Sequence, residues 1–555
     1  MGILAFIAIV SAVYSQSYRH AFIYDDHEVI LAHPAPQSTT DVLRYFTEKH
    51  FYGLPYYRPI VRTSLLVQKA IHGPNAAPFH LFNICLAVVA GLLSWWILAH
   101  PAFHIGRSLS GLAAMLFVVH PAFSSCVYPI ASGRETLLPL VLLLACFGSW
   151  IRSGAWYFVA IFFFGCALLG KEQTIVLPVL FVLADWLLLR VNTDSTQQSG
   201  SRIYNLTLRY VPVIALTILY LIVRRNIIGE GQYQLALTDT RPGMLGWLGP
   251  FWSFCYSMQT LVAPYWDLSY EPRFHLWFSP VRFAISVVVV ACLGISSCIL
   301  GRQSRRIAFF WFAWFVVCQL PTANILRQQA EFDERYVALS VLSGPAVAAM
   351  LIAHLRHLPS FFFKTILIAA IGCCSWISFD RAQAFVSDMA FADHWIKANP
   401  RSAEAWHFKG ARLLIENRLP EALACVQTAL DVNPEFLEAR HTLGRIFARS
   451  GQMDLAAVEF QKVVAAKPDH FEALSNLGFA LSRLGRVEEA VAQYNEAIRN
   501  APRNVRLRIN LAYALLKLGR NEEAADQFRA ALMLDPRNPD ALDFFRNPPT
   551  NRPAT

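Results

Sequence analysis

Long apolar runs recur along the first 380 residues, and they constrain the fold of this 555-residue chain more than any other feature. A helix needs about 20 mostly apolar residues to cross a bilayer, and several of these runs approach that length. The sequence therefore predicts an all-α, polytopic membrane bundle over residues 1–380. The candidate membrane helices are 2–18, 82–98, 106–122, 136–151, 155–169, 173–189, 209–224, 247–264, 281–299, 307–322, 336–354 and 362–379.

The charged residues divide the chain into two parts. Residues 400–555 hold 21 Lys+Arg and 19 Asp+Glu, whereas the first 399 residues hold only 46 charged residues in all. A soluble domain therefore follows the membrane part. The basic residues behind the net charge of +10 lie singly between apolar runs, so no nucleic-acid partner is expected. The 11 cysteines include no CxxC pair, which argues against a metal site or a disulfide framework.

The positive-inside rule predicts how the membrane part is threaded. If the loop after the first helix lies outside and segment 247–264 does not cross, the basic residues of the other loops fall inside. Pro250 and Pro264 suit an interrupted or interfacial helix at that segment. We expect about eleven crossings, an uncleaved cytoplasmic N-terminus and a C-terminal domain on the outer face. The loop residues that fall inside include Arg107, Arg152, Arg190, Arg202 and Arg209.

Residues 19–81 form a large predicted outer loop that begins with two adjacent acids, Asp25 and Asp26. Two neighbouring carboxylates raise each other's pKa, so one of them is a candidate general base. Asp26 and His27 are alternatively candidates to hold a divalent cation. A third interpretation is an acidic helix cap at the bilayer surface. Residues 38–46 predict a capped, short amphipathic helix in the same loop.

Several cations are predicted at the outer ends of helices, against the positive-inside rule. Taken alone, each of these cations is explained if its side chain extends to the lipid headgroups. As a set they indicate a pocket for an anion at the outer face. Adjacent acids accompany three of them, namely Glu135, Glu172 and Glu334. The candidate phosphate-binding residues are Arg58, Arg134, Lys171, Arg225 and Arg335.

The soluble part repeats every 34 residues, which is the period of tetratricopeptide repeats. Small residues recur at this spacing at two positions of each repeat, and a turn residue recurs between them. Four repeats predict an α-solenoid over 401–546, with a concave groove for a peptide or protein. Residues 381–400 are interpreted as a connector and 547–555 as a disordered tail. The prolines that mark the period are Pro400, Pro434, Pro468, Pro502 and Pro536.

Short motifs along the membrane part resemble those of membrane glycosyltransferases with C-terminal tetratricopeptide repeats. That family includes the ER O-mannosyltransferases that act on cadherins and their bacterial relatives. The motifs appear in the family's order, although 127–130 and 336–339 match it loosely and relatives often carry more repeats. They are residues 22–26, 57–59, 79–83 (which include His80), 120–121, 132–135, 169–172 with Pro178, and 334–336.

The resemblance implies a GT-C type enzyme whose donor is a sugar, possibly mannose, on a polyprenyl-phosphate carrier. Asp25 or Asp26, with Asp26 slightly favoured, would deprotonate the acceptor hydroxyl, which attacks the anomeric carbon with inversion. The cations would hold the lipid phosphate, with His80 and the adjacent acids in support, and no metal or other cofactor is assigned. The repeats would present a protein acceptor. In a bacterium this implies the inner membrane, with the repeats on the periplasmic side.

Two other functions fit parts of the sequence. The chain is alternatively a non-catalytic, membrane-anchored tetratricopeptide scaffold for envelope protein assembly, although an anchor needs only one or two helices. A transporter usually shows polar residues near the middle of the membrane, and apart from Asp185 few are present. Replacement of Asp25 and Asp26 by asparagine distinguishes the enzyme from the scaffold. An enzyme would lose its biological effect, whereas a scaffold would keep it.

Overall fold

The computed structural model describes residues 2–48, 56–189, 199–228, 249–262, 284, 286–288, 301–322, 335, 337–354 and 360–546. Over these residues the regular structure is helical and contains no strand, which confirms the all-α prediction. The chain divides into two compact units, Met1–Ala398 and Asn399–Thr555.

The first unit contains helices of very unequal length. Apolar composition explains most of them, and glycine or proline residues mark several of their ends. In chain order they are α1 Ile3–Tyr14, α2 Thr39–Arg44, α3 Pro59–His72, α4 Ala76–Leu98, α5 Arg107–Val119, α6 Pro121–Val127, α7 Ala131–Arg152, α8 Trp156–Leu168, α9 Leu177–Ala184, α10 Ser199–Ile228, α11 Gly249–Val262, α12 Arg302–Gln319, α13 Ala338–Val341, α14 Ser343–His354, α15 Ser360–Arg381 and α16 Asp388–Ala398.

Five helical segments among the described residues are long and apolar enough to cross a membrane. A sixth arises if α5 and α6 form one span, which bends by 61° where Pro121 begins the second helix. The chain is thus a membrane protein, and the count of eleven crossings stays a prediction. Segment 247–264 contains α11, whereas most of 281–299 lies outside the described residues. The five are Ala76–Leu98, Ala131–Arg152, Glu172–Leu189, Leu208–Ile228 and Phe361–Phe385.

Helix α7 lies at the centre of the first unit, and 83% of its apolar 18-residue stretch is buried inside the protein. It packs against α4 on one side and α8 on the other. Gly148 permits the contact with α4, because a Cβ there would lie 2.3 Å from the Trp96 ring. Such a close approach between helices fixes the position of α7 relative to α4 and hence of the residues at its N-terminus.

The described residues of loop 19–81, which the sequence predicts to lie outside, contain more helix than the sequence indicates. The predicted capped helix exists as α2, where Ser38 and Asp41 form a reciprocal capping box. A second helix, α3, occupies Pro59–His72 and was not predicted, because its apolar residues cover only one face. Pro59 at its first turn needs no N–H partner, which favours a helix start there. The predicted connector 381–400 also contains a helix, α16, that belongs to the first unit.

The second unit consists of four helix pairs and a final short helix, as the 34-residue period predicts. The turn inside each pair holds a residue in the left-handed conformation. These residues are Asn417, Gly451, Gly485 and Gly519, with φ between 61° and 82°. The helices are α17 Ala403–Ile415, α18 Leu419–Val432, α19 Leu437–Arg449, α20 Met453–Ala466, α21 Phe471–Arg483, α22 Val487–Asn500, α23 Val505–Lys517, α24 Asn521–Leu534 and α25 Pro539–Arg546.

Replacement of Gly478 by valine should destabilise the repeats. A Cβ at Gly478 would lie 2.9 Å from the buried Tyr494 ring, so a branched side chain must push the paired helix away. We expect Gly478→Val to lower the free energy of unfolding by about 1–3 kcal/mol, measured by urea denaturation with circular dichroism. Gly485→Asn is the matched control, because Asn417 adopts the same left-handed conformation in the first repeat. Equal losses in the two variants would contradict this packing.

Candidate active site

The acidic pair lies between the first helix and the N-terminus of α7. The side chain of Asp26 is 1% exposed. Its Oδ2 accepts a hydrogen bond from the Ile23 N–H at 3.0 Å, and its Oδ1 accepts one from the Ala131 N–H at 2.7 Å. Ala131 is the first residue of α7, where a negative charge interacts favourably with the helix dipole. Asp26 therefore caps α7 from more than 100 residues away.

The environments of the two aspartates differ. Burial raises the pKa of Asp26 to about 7, although its backbone hydrogen bonds oppose that rise. Asp25 is only half-buried. A general base must come within hydrogen-bond reach of the proton that it removes. Accessibility therefore favours Asp25 for that role, whereas Asp26 is held inside the protein.

Arg58 is the centre of a buried ion cluster. It lies directly before Pro59, the first residue of α3, and is 6% exposed. Its Nε and Nη2 donate to the two carboxylate oxygens of Glu172 at 3.1 and 2.5 Å, and its Nη1 donates to Glu135 at 2.5 Å. Burial alone would lower the pKa of Arg58, but the two carboxylates raise it. The guanidinium is therefore permanently charged, and Tyr56 covers it 4.2 Å from the ring centroid.

Two more predicted cations lie near this cluster. Lys171 is 5% exposed and donates to the Thr136 hydroxyl at 3.1 Å. Arg335 is half-buried and interacts electrostatically with Tyr56. Burial raises the pKa of the Tyr56 phenol, whereas the positive charges of Arg58 and, more weakly, Arg335 lower it. With Glu135 and Glu172, the three cations leave one net positive charge among these five residues.

Arg134 has a different surrounding from the other predicted cations. It is fully buried, and its guanidinium makes four hydrogen bonds to neutral oxygens. The acceptors are the side chains of Asn83 (3.1 Å) and Gln68 (2.6 Å) and the carbonyls of Ser64 (3.4 Å) and Phe79 (3.1 Å). These bonds tie α7 to α3 and α4, so the geometry gives Arg134 a structural role.

The other predicted site residues are dispersed. His80 is buried on α4 and meets the ring of His20 edge-on, with the centroids 5.7 Å apart. Arg225 is exposed on α10. Glu334 lies outside the described residues. Among the described residues, no group of three His, Cys, Asp or Glu side chains is placed to hold a metal ion.

Sequence reasoning missed Asp388, whose carboxylate contacts the acidic segment. It accepts from the Tyr24 N–H at 2.9 Å and lies 2.8 Å from the Nε2 atom of His27. The available signal was an amphipathic pattern with Phe391 and Trp395 directly after the last apolar run, which indicates a packed helix.

The fold defines a membrane protein of several spans with C-terminal tetratricopeptide repeats. Residues 409–471 and 475–541 match the family model described as tetratricopeptide repeat. The chain is also similar to protein O-mannosyl-transferases. It is 26% identical over 185 residues to Protein O-mannosyl-transferase TMTC3 of Homo sapiens, covering 30% of this chain and 20% of that protein. With TMTC4 of Mus musculus it is 22% identical over 371 residues, 56% of this chain and 50% of that protein.

These similarities confirm the resemblance that the sequence motifs indicate. The chain matches between a fifth and a half of the length of these two relatives. Among solved structures, that of YrrB, "a TPR protein with an unusual peptide-binding site", aligns at 21% identity with a TM-score of 0.26. The alignment covers 33% of this chain and 89% of that chain.

Removal of the Arg134 side chain should destabilise the membrane unit. Arg134→Ala removes the four hydrogen bonds of a buried guanidinium and leaves the side-chain oxygens of Asn83 and Gln68 without this donor, which costs about 2 kcal/mol. We expect a lower thermal midpoint for the detergent-purified protein, measured by intrinsic tryptophan fluorescence. Lys364→Ala is the control, because Lys364 is an exposed cation on α15. The same midpoint in both variants would show that the network around Arg134 does not stabilise the bundle.

Proposed function

We propose that this protein is an inverting glycosyltransferase that moves a sugar from a polyprenyl-phosphate carrier to a hydroxyl group on a protein. One observation carries the proposal. The acidic pair and the ion cluster meet at the same end of α7, because Asp26 binds its first residue and Arg58 binds Glu135. Ala131 and Glu135 are four residues apart, which is about 6 Å along a helix. The two halves of the predicted chemistry are therefore neighbours.

Asp25 acts as the general base in this proposal. Its carboxylate accepts the proton of the acceptor hydroxyl while the hydroxyl oxygen bonds to the anomeric carbon. The bond between that carbon and the phosphate oxygen breaks, and the electron pair leaves with the lipid phosphate. Attack from the side opposite the leaving group inverts the configuration. Asp26 holds the segment against α7, so that Asp25 keeps its position during the reaction.

The ion cluster supplies the positive charge that the leaving phosphate needs. Glu135 and Glu172 fix the Arg58 guanidinium in one orientation, so it needs no reorganisation when the leaving group develops charge. Lys171 and Arg335 provide the remaining charge. A buried position makes each of these interactions stronger than in water. Arg225 remains a predicted contact of the same phosphate, whereas we assign Arg134 a structural role in joining α7 to α3 and α4.

The names of the relatives support the acceptor class. Both are called protein O-mannosyl-transferases, which makes mannose the first donor to test and a serine or threonine hydroxyl the first acceptor. The tetratricopeptide repeats would bind the acceptor protein. We place the reaction at the outer face of the membrane, which is the periplasmic side of the inner membrane if the source is bacterial.

The direct test is transfer of label from radiolabelled polyprenyl-phosphate mannose or glucose by detergent-purified protein. Asp25→Asn should lower the turnover rate about 10²–10⁴-fold without changing the thermal midpoint, because only the base is lost. Asp26→Asn should lower both, because an amide replaces one of the two acceptor oxygens inside the protein. Glu28→Gln is the control, since Glu28 is exposed three residues further on.

Two results would contradict the assignment. Turnover that survives Asp25→Asn but is lost in Asp26→Asn at an unchanged thermal midpoint would make Asp26 the base. Folded protein that transfers no label from either donor would favour a membrane-anchored scaffold, whose repeats recruit partners without catalysis.

The repeats should matter more for large acceptors than for small ones. A chain that ends at Ala398 keeps the first unit complete, because the boundary between the units follows that residue. We expect this truncation to reduce transfer to a folded protein acceptor at least tenfold, and transfer to a short serine- or threonine-containing peptide by less than threefold. Equal reductions with both acceptors would show that the repeats do not present the acceptor.

A further inference from the structure

Asp388 connects the acidic segment to a helix more than 360 residues away in the sequence. It is the first residue of α16, and its side chain is 18% exposed. One carboxylate oxygen accepts from the Tyr24 N–H at 2.9 Å, and the other lies 2.8 Å from the Nε2 atom of His27. These contacts lie on either side of the aspartate pair. A single carboxylate therefore holds the backbone before Asp25 and the side chain after Asp26.

The conformation of Tyr24 shows that this segment is held under constraint. Its φ of 47° lies in the left-handed region, which is uncommon and strained for a bulky residue. Such a conformation persists only where the surroundings stabilise it. Here the Tyr24 ring packs against Phe391 and Trp395 of α16, with centroids 5.6 and 6.2 Å away, while Asp388 holds its N–H. Helix α16 thus contacts both the backbone N–H and the ring of Tyr24 and stabilises its conformation.

The acidic segment is fixed from two sides. On one side Asp26 binds the N-terminus of α7, and on the other Tyr24 and His27 bind Asp388. The Ala21 N–H also donates to the Val386 carbonyl at 3.4 Å, just before α16. Asp25 lies between these anchors. Its position relative to Arg58 thus depends on α16 as well as on α7.

We propose that Asp388 is a positioning residue for the base: it holds Asp25 at the distance from the ion cluster that the transfer needs. This inference rests on the proposed function. Asp388 acts through Tyr24 and His27 and touches neither the sugar nor the phosphate. Its helix ends at Ala398, and the chain enters the second unit at the next residue. The segment that fixes the base is thus covalently continuous with the repeats.

The test compares Asp388→Ala, Asp388→Asn and Asp388→Glu in the labelled transfer assay. A misplaced base lowers kcat, so we expect a fall of about 10–100-fold in Asp388→Ala, with the KM values for donor and acceptor changed less than threefold. Asp388→Asn keeps an acceptor for the Tyr24 N–H and should fall between alanine and wild type. Asp388→Glu keeps both acceptor oxygens and should recover part of kcat. The control is Asp393→Asn, an exposed acid on the same helix.

A second measurement does not depend on activity. Hydrogen–deuterium exchange of the Asp388→Ala protein should accelerate at residues 22–28 by at least tenfold and remain unchanged in the repeats. A wild-type kcat per folded molecule, or unchanged exchange at 22–28, would overturn the inference. Wild-type protein without activity on any donor would reject the proposed function instead, while the exchange result would still show whether Asp388 positions the segment. Asp388→Asn serves both measurements if Asp388→Ala does not fold.

Discussion

The hydrogen bond between the Asp26 carboxylate and the Ala131 N–H is the interaction on which the rest of the site depends. It occupies a donor that every helix leaves unpaired at its N-terminus, and it does so with a charge that the helix dipole favours. Among the five candidate spans of the described residues, α7 has the largest buried share, so a residue bound to its first turn is held in a fixed position. The next turn of α7 carries Glu135, so the ion cluster is fixed to the same helix as Asp26.

The ion cluster shows why the cations of this chain are not equivalent. Arg58 faces two carboxylates, whereas Arg134 faces four neutral oxygens, although both are almost completely buried. A buried charge needs either an opposite charge or a full set of hydrogen bonds. Arg58 satisfies the first condition and remains part of a site with several charges. Arg134 satisfies the second, and its charge is used to join three helices.

Sequence periodicity predicted the architecture well but could not predict how the site is assembled. The 34-residue spacing gave the repeats, and the apolar runs gave most of the membrane helices, because both patterns are local. Arg58, Glu135 and Glu172 were each identified as candidates, but their mutual pairing depends on three separate segments. Helix α3 was missed since its hydrophobicity lies on one face only. Asp388 was missed because an acid in a connector has no local pattern that points to a loop 364 residues earlier.

The contact between Tyr24 and Asp388 also sets the order in which the protein can be completed. A ribosome adds roughly 5–20 residues per second, so about 20–70 s separate the synthesis of these two residues. During that interval the acidic segment has left the ribosome while the helix that supports it does not yet exist. The contacts that α16 makes with the strained backbone and the ring of Tyr24 form only after the last apolar helix has been made. The acidic segment of the nascent chain therefore reaches its final conformation only after α16 has been made.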